Sequence, residues 1–267
     1  GGWPVATWGS LLARAEYHAS RLRRFAADSG GGLAIVETAA DLDRLLERRA
    51  AGSPLVGGIL AIEGAHALDD SIENLDRLVD AGYRIVGLAH FFDNVFAGSA
   101  HGLQKGALTP AGRRLVAALE ERSIAIDLAH ASAATIEEVA SIARRPVLVS
   151  HTGVRATCNN GRNLSDEQLR AVAATGGLIG IGFWPTAVGG DEAGAIASAI
   201  THAVSVVGAD HVGLGSDFDG AVPTPFDASG LALLTEALLA KGLDETTIAA
   251  VMGGSAVRFL RSSLPAG

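Results

Sequence analysis

SIAIDLAHASAATIEEVASIARRPVLVSH, residues 123–151, decides the architecture of this chain. Two short apolar runs, Ile124–Ala129 and Pro146–Ser150, flank a segment, Ala134–Ala143, whose apolar residues recur at helical spacing. Each run is apolar along its whole length, as in a strand buried on both faces of a parallel sheet. Each is followed by a histidine, His130 and His151. The unit reads strand–helix–strand, and a parallel pair joined in this way takes a right-handed crossover.

The same alternation continues on both sides. Gly58–Ile62, Arg84–Ala89, Leu178–Phe183 and His211–Ser216 are further buried-strand runs. Thr109 and Pro110 supply an N-cap and a first-turn proline for one helix, and Ser165 with Gln168 forms a capping box for another. Ser71–Val79 also carries helical spacing. Before residue 57 the pattern changes. Leu11–Ala27 reads as a long helix, Thr38–Arg49 as a second with Thr38 as N-cap, Leu33–Val36 as a short extended piece, and Trp3–Thr7 as a strand remnant.

No repeat, low-complexity tract or linker divides the 267 residues, a length typical of one α/β barrel. The expected fold is therefore a single TIM (β/α)8-type barrel domain over residues 1–267. With six strands counted, the first one or two strands of a closed barrel lie outside the chain.

Composition narrows the function classes. The hydrophobic fraction of 48% supports a large core, and a net charge of -8 with scattered basic residues excludes a nucleic-acid surface. The single cysteine, Cys158, excludes an intrachain disulfide or a cysteine-rich zinc site and reads as a small packing residue. No segment approaches the roughly 20 apolar residues of a membrane span. No leader pattern opens the chain, and RFLRSSLPAG at its end is not a lipid-anchor signal. The expectation is a cytoplasmic protein without a membrane partner.

Function concentrates where the strands end. Glu63, His90, His130, His151 and Asp217 each stand at or just beyond an apolar run. In a parallel barrel those ends share one rim, where the βα loops build the active site. One such histidine is ordinarily a hydrogen-bonded structural residue; five ionisable groups in equivalent positions are a site. Two imidazoles and a carboxylate form a common catalytic zinc set. Spacing alone leaves open which two of His90, His130 and His151 bind metal. A serine nucleophile is disfavoured because no G-x-S-x-G elbow occurs. Arg162, after a glycine-containing loop, can grip a carboxylate or serve as a surface residue. His18 and His202 sit in helical patterns and His211 on the opposite rim, whereas His66 and His101 lie in loops on the active side. Phe183 and Trp184 are candidate pocket walls.

IEGAH (62–66), LAHFFDN (88–94), LTPAG (108–112), DLAHAS (127–132), VSHTGVRA (149–156), GRNLSDEQL (161–169) and GSDFDG (215–220) together resemble the renal (membrane) dipeptidase family over residues 3–262. GSAHG (98–102) is closer to its bacterial members. The resemblance implies a zinc-dependent barrel metallopeptidase that cleaves dipeptides, often tolerating a C-terminal D-residue. It implies that Glu63 bridges two zinc ions and that His130 and His151 ligate one of them. By the same resemblance His90 contacts substrate and stabilises the tetrahedral intermediate, Arg162 holds the substrate carboxylate, Asp217 is the acid/base, and Asp219 is structural. Its partner is a small dipeptide, with a homodimer left open.

One departure stands out. The family's other zinc takes a His-x-Asp pair on the first strand, and none precedes Glu63 here. The expected explanation is sequence preceding residue 1. The alternatives are a dipeptidase-shaped binding protein without the first metal site, or a metallohydrolase of lactones or cyclic amides.

Overall fold

The computed structural model describes residues 3–267. Its centre is a six-stranded, wholly parallel sheet whose strands lie side by side in chain order. Ahead of it, β1 (Leu33–Ile35) pairs in parallel with β2 (Val56–Gly58). The chain passes Ile59 and continues as β3 (Leu60–Ile62), the first strand of the large sheet. The others are β4 (Tyr83–Gly87), β5 (Ala125–Asp127), β6 (Leu148–Thr152), β7 (Leu178–Ile181) and β8 (Val212–Leu214). Among the described residues no strand pairing joins β8 to β3. The six runs expected from the sequence are thus parallel neighbours; five strands are shorter than their apolar stretches, and β6 is as long as its own but lies two residues further along.

Helices α1 (Leu11–Asp28), α2 (Ala39–Ala50), α3 (Leu75–Asp80), α4 (Pro110–Glu121), α5 (Ala133–Ile142) and α6 (Asp166–Ala174) alternate with these strands, followed by α7 (Pro185–Val188) and α8 (Ala193–Val207). Their starts follow local chemistry. Thr38 and Ser165 form reciprocal capping boxes with Asp41 and Gln168, Thr109 accepts Gly112 N–H ahead of Pro110, and Ser132 accepts Thr135 N–H. α1 does not stand apart. Its Leu12, Ala15 and Ala19 are buried in the same core as Leu60, Ile62 and Leu75, and Tyr83 Oη donates to Ala15 O at 2.8 Å.

Two local expectations change. Trp3–Thr7 is not extended: Val5–Thr7 is a 3-10 turn closed by Thr7 N–H on Pro4 O, and Pro4, with φ near -56°, starts it. The helix expected over 71–79 splits into a 3-10 turn, Ile72–Asn74, and α3.

The pairing of β6 with β7 carries one irregularity. Val149 pairs with Ile179 and Thr152 with Ile181, so Ser150 and His151 together face Gly180. Glycine is required there. A Cβ on Gly180 would lie 2.1 Å from Ser150 O, and one on Gly215 2.3 Å from the same oxygen.

Candidate active site

The strand ends bring Glu63, His90, His130 and Asp217, and the loop between β6 and α6 brings Arg162, to the wall of one cavity of about 750 Å3. Glu63 directly follows β3; His90, His130 and Asp217 follow β4, β5 and β8 by a short turn; His151 lies inside β6 and is buried. His130 and Asp217 adopt left-handed backbone, with φ of 62° and 57°. Such a conformation is uncommon outside glycine, although His and Asp adopt it more readily than most residues.

Three ligand atoms form a small triangle. His130 Nε2 lies 3.0 Å from Glu63 Oε1 and 2.9 Å from His151 Nε2, and His151 Nε2 lies 3.3 Å from Glu63 Oε1. A tetrahedral ion with bonds of ~2.0–2.1 Å separates its ligand atoms by about 3.3 Å. The donor set therefore fits a divalent metal in both geometry and type. His90 Nε2, 3.6 Å from Glu63 Oε2, stands beside the triangle rather than in it. Among the described residues, Glu63, His130 and His151 are the group whose donor atoms converge closely enough to hold one ion.

Arg162 reaches the cavity from a cross-tied loop. Asn163 Oδ1 accepts Gly153 N–H at 3.1 Å and its Nδ2 donates to Ala187 O at 2.9 Å, while Arg162 Nη2 donates to His151 O at 2.8 Å.

The chain is similar to known proteins over most of its length. The sequence profile of the membrane dipeptidase family, peptidase family M19, matches residues 9–264. The chain belongs to that family. A dipeptidase of Aspergillus oryzae (aclJ) is 32% identical over 215 residues, which are 77% of this chain and 51% of that protein. The chain thus spans about half the length of that relative. A Klebsiella pneumoniae protein encoded in the pqqA 5' region is 29% identical over 256 residues, 90% of this chain and 93% of its own length. Among solved structures, a Rhodobacter sphaeroides metallopeptidase bound to a phosphinate mimic of L-Ala-D-Ala is 28% identical, with a TM-score of 0.80 over 92% of this chain and 73% of that one. The α/β barrel-type fold is that of the M19 dipeptidases.

In this member of the family the electrostatics favour the deprotonated forms of two groups of the triangle, Glu63 and His151. The hydrogen bond from His130, against the cost of burial, holds the Glu63 carboxyl well below the usual range. Burial first, then the nearby Arg162 charge, pushes His151 down, and burial lowers His90 and His66. Burial also brings Arg162 down to about 10, still charged at neutral pH. Asp217 shifts the other way, raised by burial and then by the charges of Glu63 and Asp219.

The structure adds residues to those read from the strand ends. His101, from the GSAHG loop, lines the cavity with its ring 5.2 Å from His130, and burial lowers it to about 4. Asp93 shapes that loop by accepting Ser99 and Gln104 N–H at 2.8 Å. Lys105 and Asn160 also line the cavity, and Asp219 is exposed at its wall. Beneath the site, buried Asp127 accepts Ala129 N–H at 3.0 Å and Ser150 N–H at 2.9 Å. Its signal in the sequence was a lone acid within the apolar run Ile124–Ala129. Trp184 lines the cavity, but Phe183 does not; it is wholly buried against Phe218 and Phe226. Among the described residues no helix is long and apolar enough to cross a membrane.

Proposed function

We propose that this chain carries the active site of a zinc-dependent dipeptidase, with Glu63, His130 and His151 as metal ligands. The observation that carries the reading is the triangle of donors at 2.9–3.3 Å, two of whose residues, Glu63 and His130, line one cavity with a half-buried arginine and an acid of raised pKa. When bound, zinc acidifies a water and polarises a carbonyl oxygen.

The chain's own groups supply the rest. Arg162 takes the free carboxylate of the dipeptide through charge-assisted hydrogen bonds, which fixes the scissile amide over the triangle. Asp217 accepts a proton from the attacking water and returns it to the departing amine nitrogen, a task suited to a carboxyl whose pKa is raised. His90, beside Glu63 but outside the triangle, donates to the oxygen that gains charge as the carbonyl becomes tetrahedral. A C-terminal D-residue fits this scheme because recognition rests on the carboxylate and the amide. The phosphinate dipeptide mimic bound by the Rhodobacter relative supports a dipeptide as the substrate class.

Hydrolysis of L-Ala-D-Ala and of its C-terminal amide, with and without added zinc, tests the proposal. Zinc-dependent cleavage of the free dipeptide, with the amide poorly used, is the expected result. Binding without cleavage would favour a dipeptidase-shaped binding protein, and cleavage of lactones in preference to dipeptides would overturn the substrate class.

A further inference from the structure

Asp127, Ser150 and His151 form a continuous polar chain that ends on the metal triangle. Ser150 Oγ lies 2.5 Å from Asp127 Oδ2 and 3.0 Å from His151 Nδ1. Burial raises the Asp127 carboxyl, but Oδ1 accepts two backbone N–H groups, from Ala129 at 3.0 Å and Ser150 at 2.9 Å, and those donors together with the Ser150 hydroxyl favour the ionised carboxylate. With only acceptors on Asp127, the Ser150 hydroxyl gives its one proton to Oδ2. Its oxygen then faces Nδ1 with a lone pair, and an unprotonated Nδ1 would set lone pair against lone pair. The imidazole proton belongs on Nδ1. In a neutral ring that leaves Nε2 bare, and Nε2 is the atom 3.3 Å from Glu63 Oε1.

We infer that Asp127 and Ser150 are positioning residues that fix His151 as its Nδ1–H tautomer, so that Nε2 is a metal donor before any metal arrives. The inference rests on the reading of Glu63, His130 and His151 as ligands. It also makes the two imidazoles unequal. His130 Nδ1 is buried with no hydrogen-bond partner, so no such chain reaches the second nitrogen of that ring. Ligand histidines held through their second nitrogen bind metal more tightly because ring orientation and proton position are settled in advance.

A purely structural role is the competing account, since Asp127 also ties off the Ser150 N–H at the irregularity in β6. Ser150→Ala separates the two, because it keeps both backbone bonds to Asp127 and removes only the hydroxyl. The test uses the metal-free full chain with 15N-labelled histidine. Long-range 1H–15N spectra report which ring nitrogen carries the proton, and the His151→Gln spectrum identifies the His151 signals. In the unsubstituted protein His151 should carry its proton on Nδ1. In Ser150→Ala the Nε2–H form should appear, zinc affinity by chelator competition should fall about 10–100-fold, and Ser150→Thr should restore both.

A His151 proton on Nε2 in the unsubstituted protein would overturn the inference whatever the variants do. So would zinc affinity in a folded Ser150→Ala equal to that of the parent. If the parent bound no zinc while keeping its Nδ1–H tautomer, the ligand reading would fall and the tautomer assignment would stand.

Discussion

Ser150 and His151 are consecutive residues of one strand, yet their side chains meet, with Ser150 Oγ 3.0 Å from His151 Nδ1. In a regular strand successive side chains point to opposite faces. Here two residues of β6 stand opposite Gly180 alone, and the extra residue breaks that alternation.

Gly180→Ala should disturb this irregularity. Its Cβ would fall 2.1 Å from the Ser150 carbonyl oxygen, which is backbone and cannot swing aside. Overpacking of this kind costs about 1–3 kcal/mol. Urea unfolding should show that loss, accompanied by weaker zinc binding because His151 is re-aimed. Unchanged stability would mean that the two strands do not approach so closely.

Metal content should be near one zinc per chain in the purified protein, measured by elemental analysis after dialysis. Glu63→Gln and His151→Ala should each lose most of it, whereas His90→Asn should keep it, since His90 lies outside the triangle. Equal loss in all three would move His90 into the ligand set.

Arg162→Lys should discriminate between substrates. A lysine keeps the charge but not the two-pronged donor, and a hydrogen bond to a charged group contributes about 1.5–3 kcal/mol. KM for free dipeptides should rise roughly 10–100-fold on that basis, while KM for the C-terminal amides should change little. Equal losses on both would remove the carboxylate from the role given to Arg162.

Asp217→Asn should act on turnover. Asparagine keeps the shape but cannot shuttle a proton, so kcat should fall about 10²–10⁴-fold with zinc content unchanged. A variant that loses zinc instead would show that Asp217 serves the metal.

Metal-free protein should lose thermal stability as pH falls below 6.5. His66, His90, His101 and His151 all have pKa values below the ordinary 6.5, with His101 at about 4. Between those limits the unfolded chain binds protons that the folded one refuses, so stability rises with pH across that window. Melting curves from pH 7.5 to 4 should show the decline, and His101→Gln should make it shallower. A flat profile would contradict the burial of these rings.

Much of the molecule was legible in order of residues alone. Buried parallel strands are apolar along their whole length, and helix starts carry their caps in the side chain of one residue, so β3 to β8 and the starts of α2, α4 and α6 could be read locally. The rim followed too, because a polar residue that ends such a run must sit at the same end of a parallel sheet as its counterparts. Trp3–Thr7 misled because a short apolar run is equally consistent with a strand or a turn when nothing beside it supplies a partner. The convergence of donors was decided only in three dimensions. His90, His130 and His151 are equivalent in spacing, yet the donors of His130 and His151 converge with that of Glu63 while His90 stands 3.6 Å from its other oxygen. The same holds for Asp127, His101 and Lys105. A strand fixes the face on which its own residues lie, but cross-strand contacts and loop closure fix which of them touch, and those depend on packing between segments far apart in the chain.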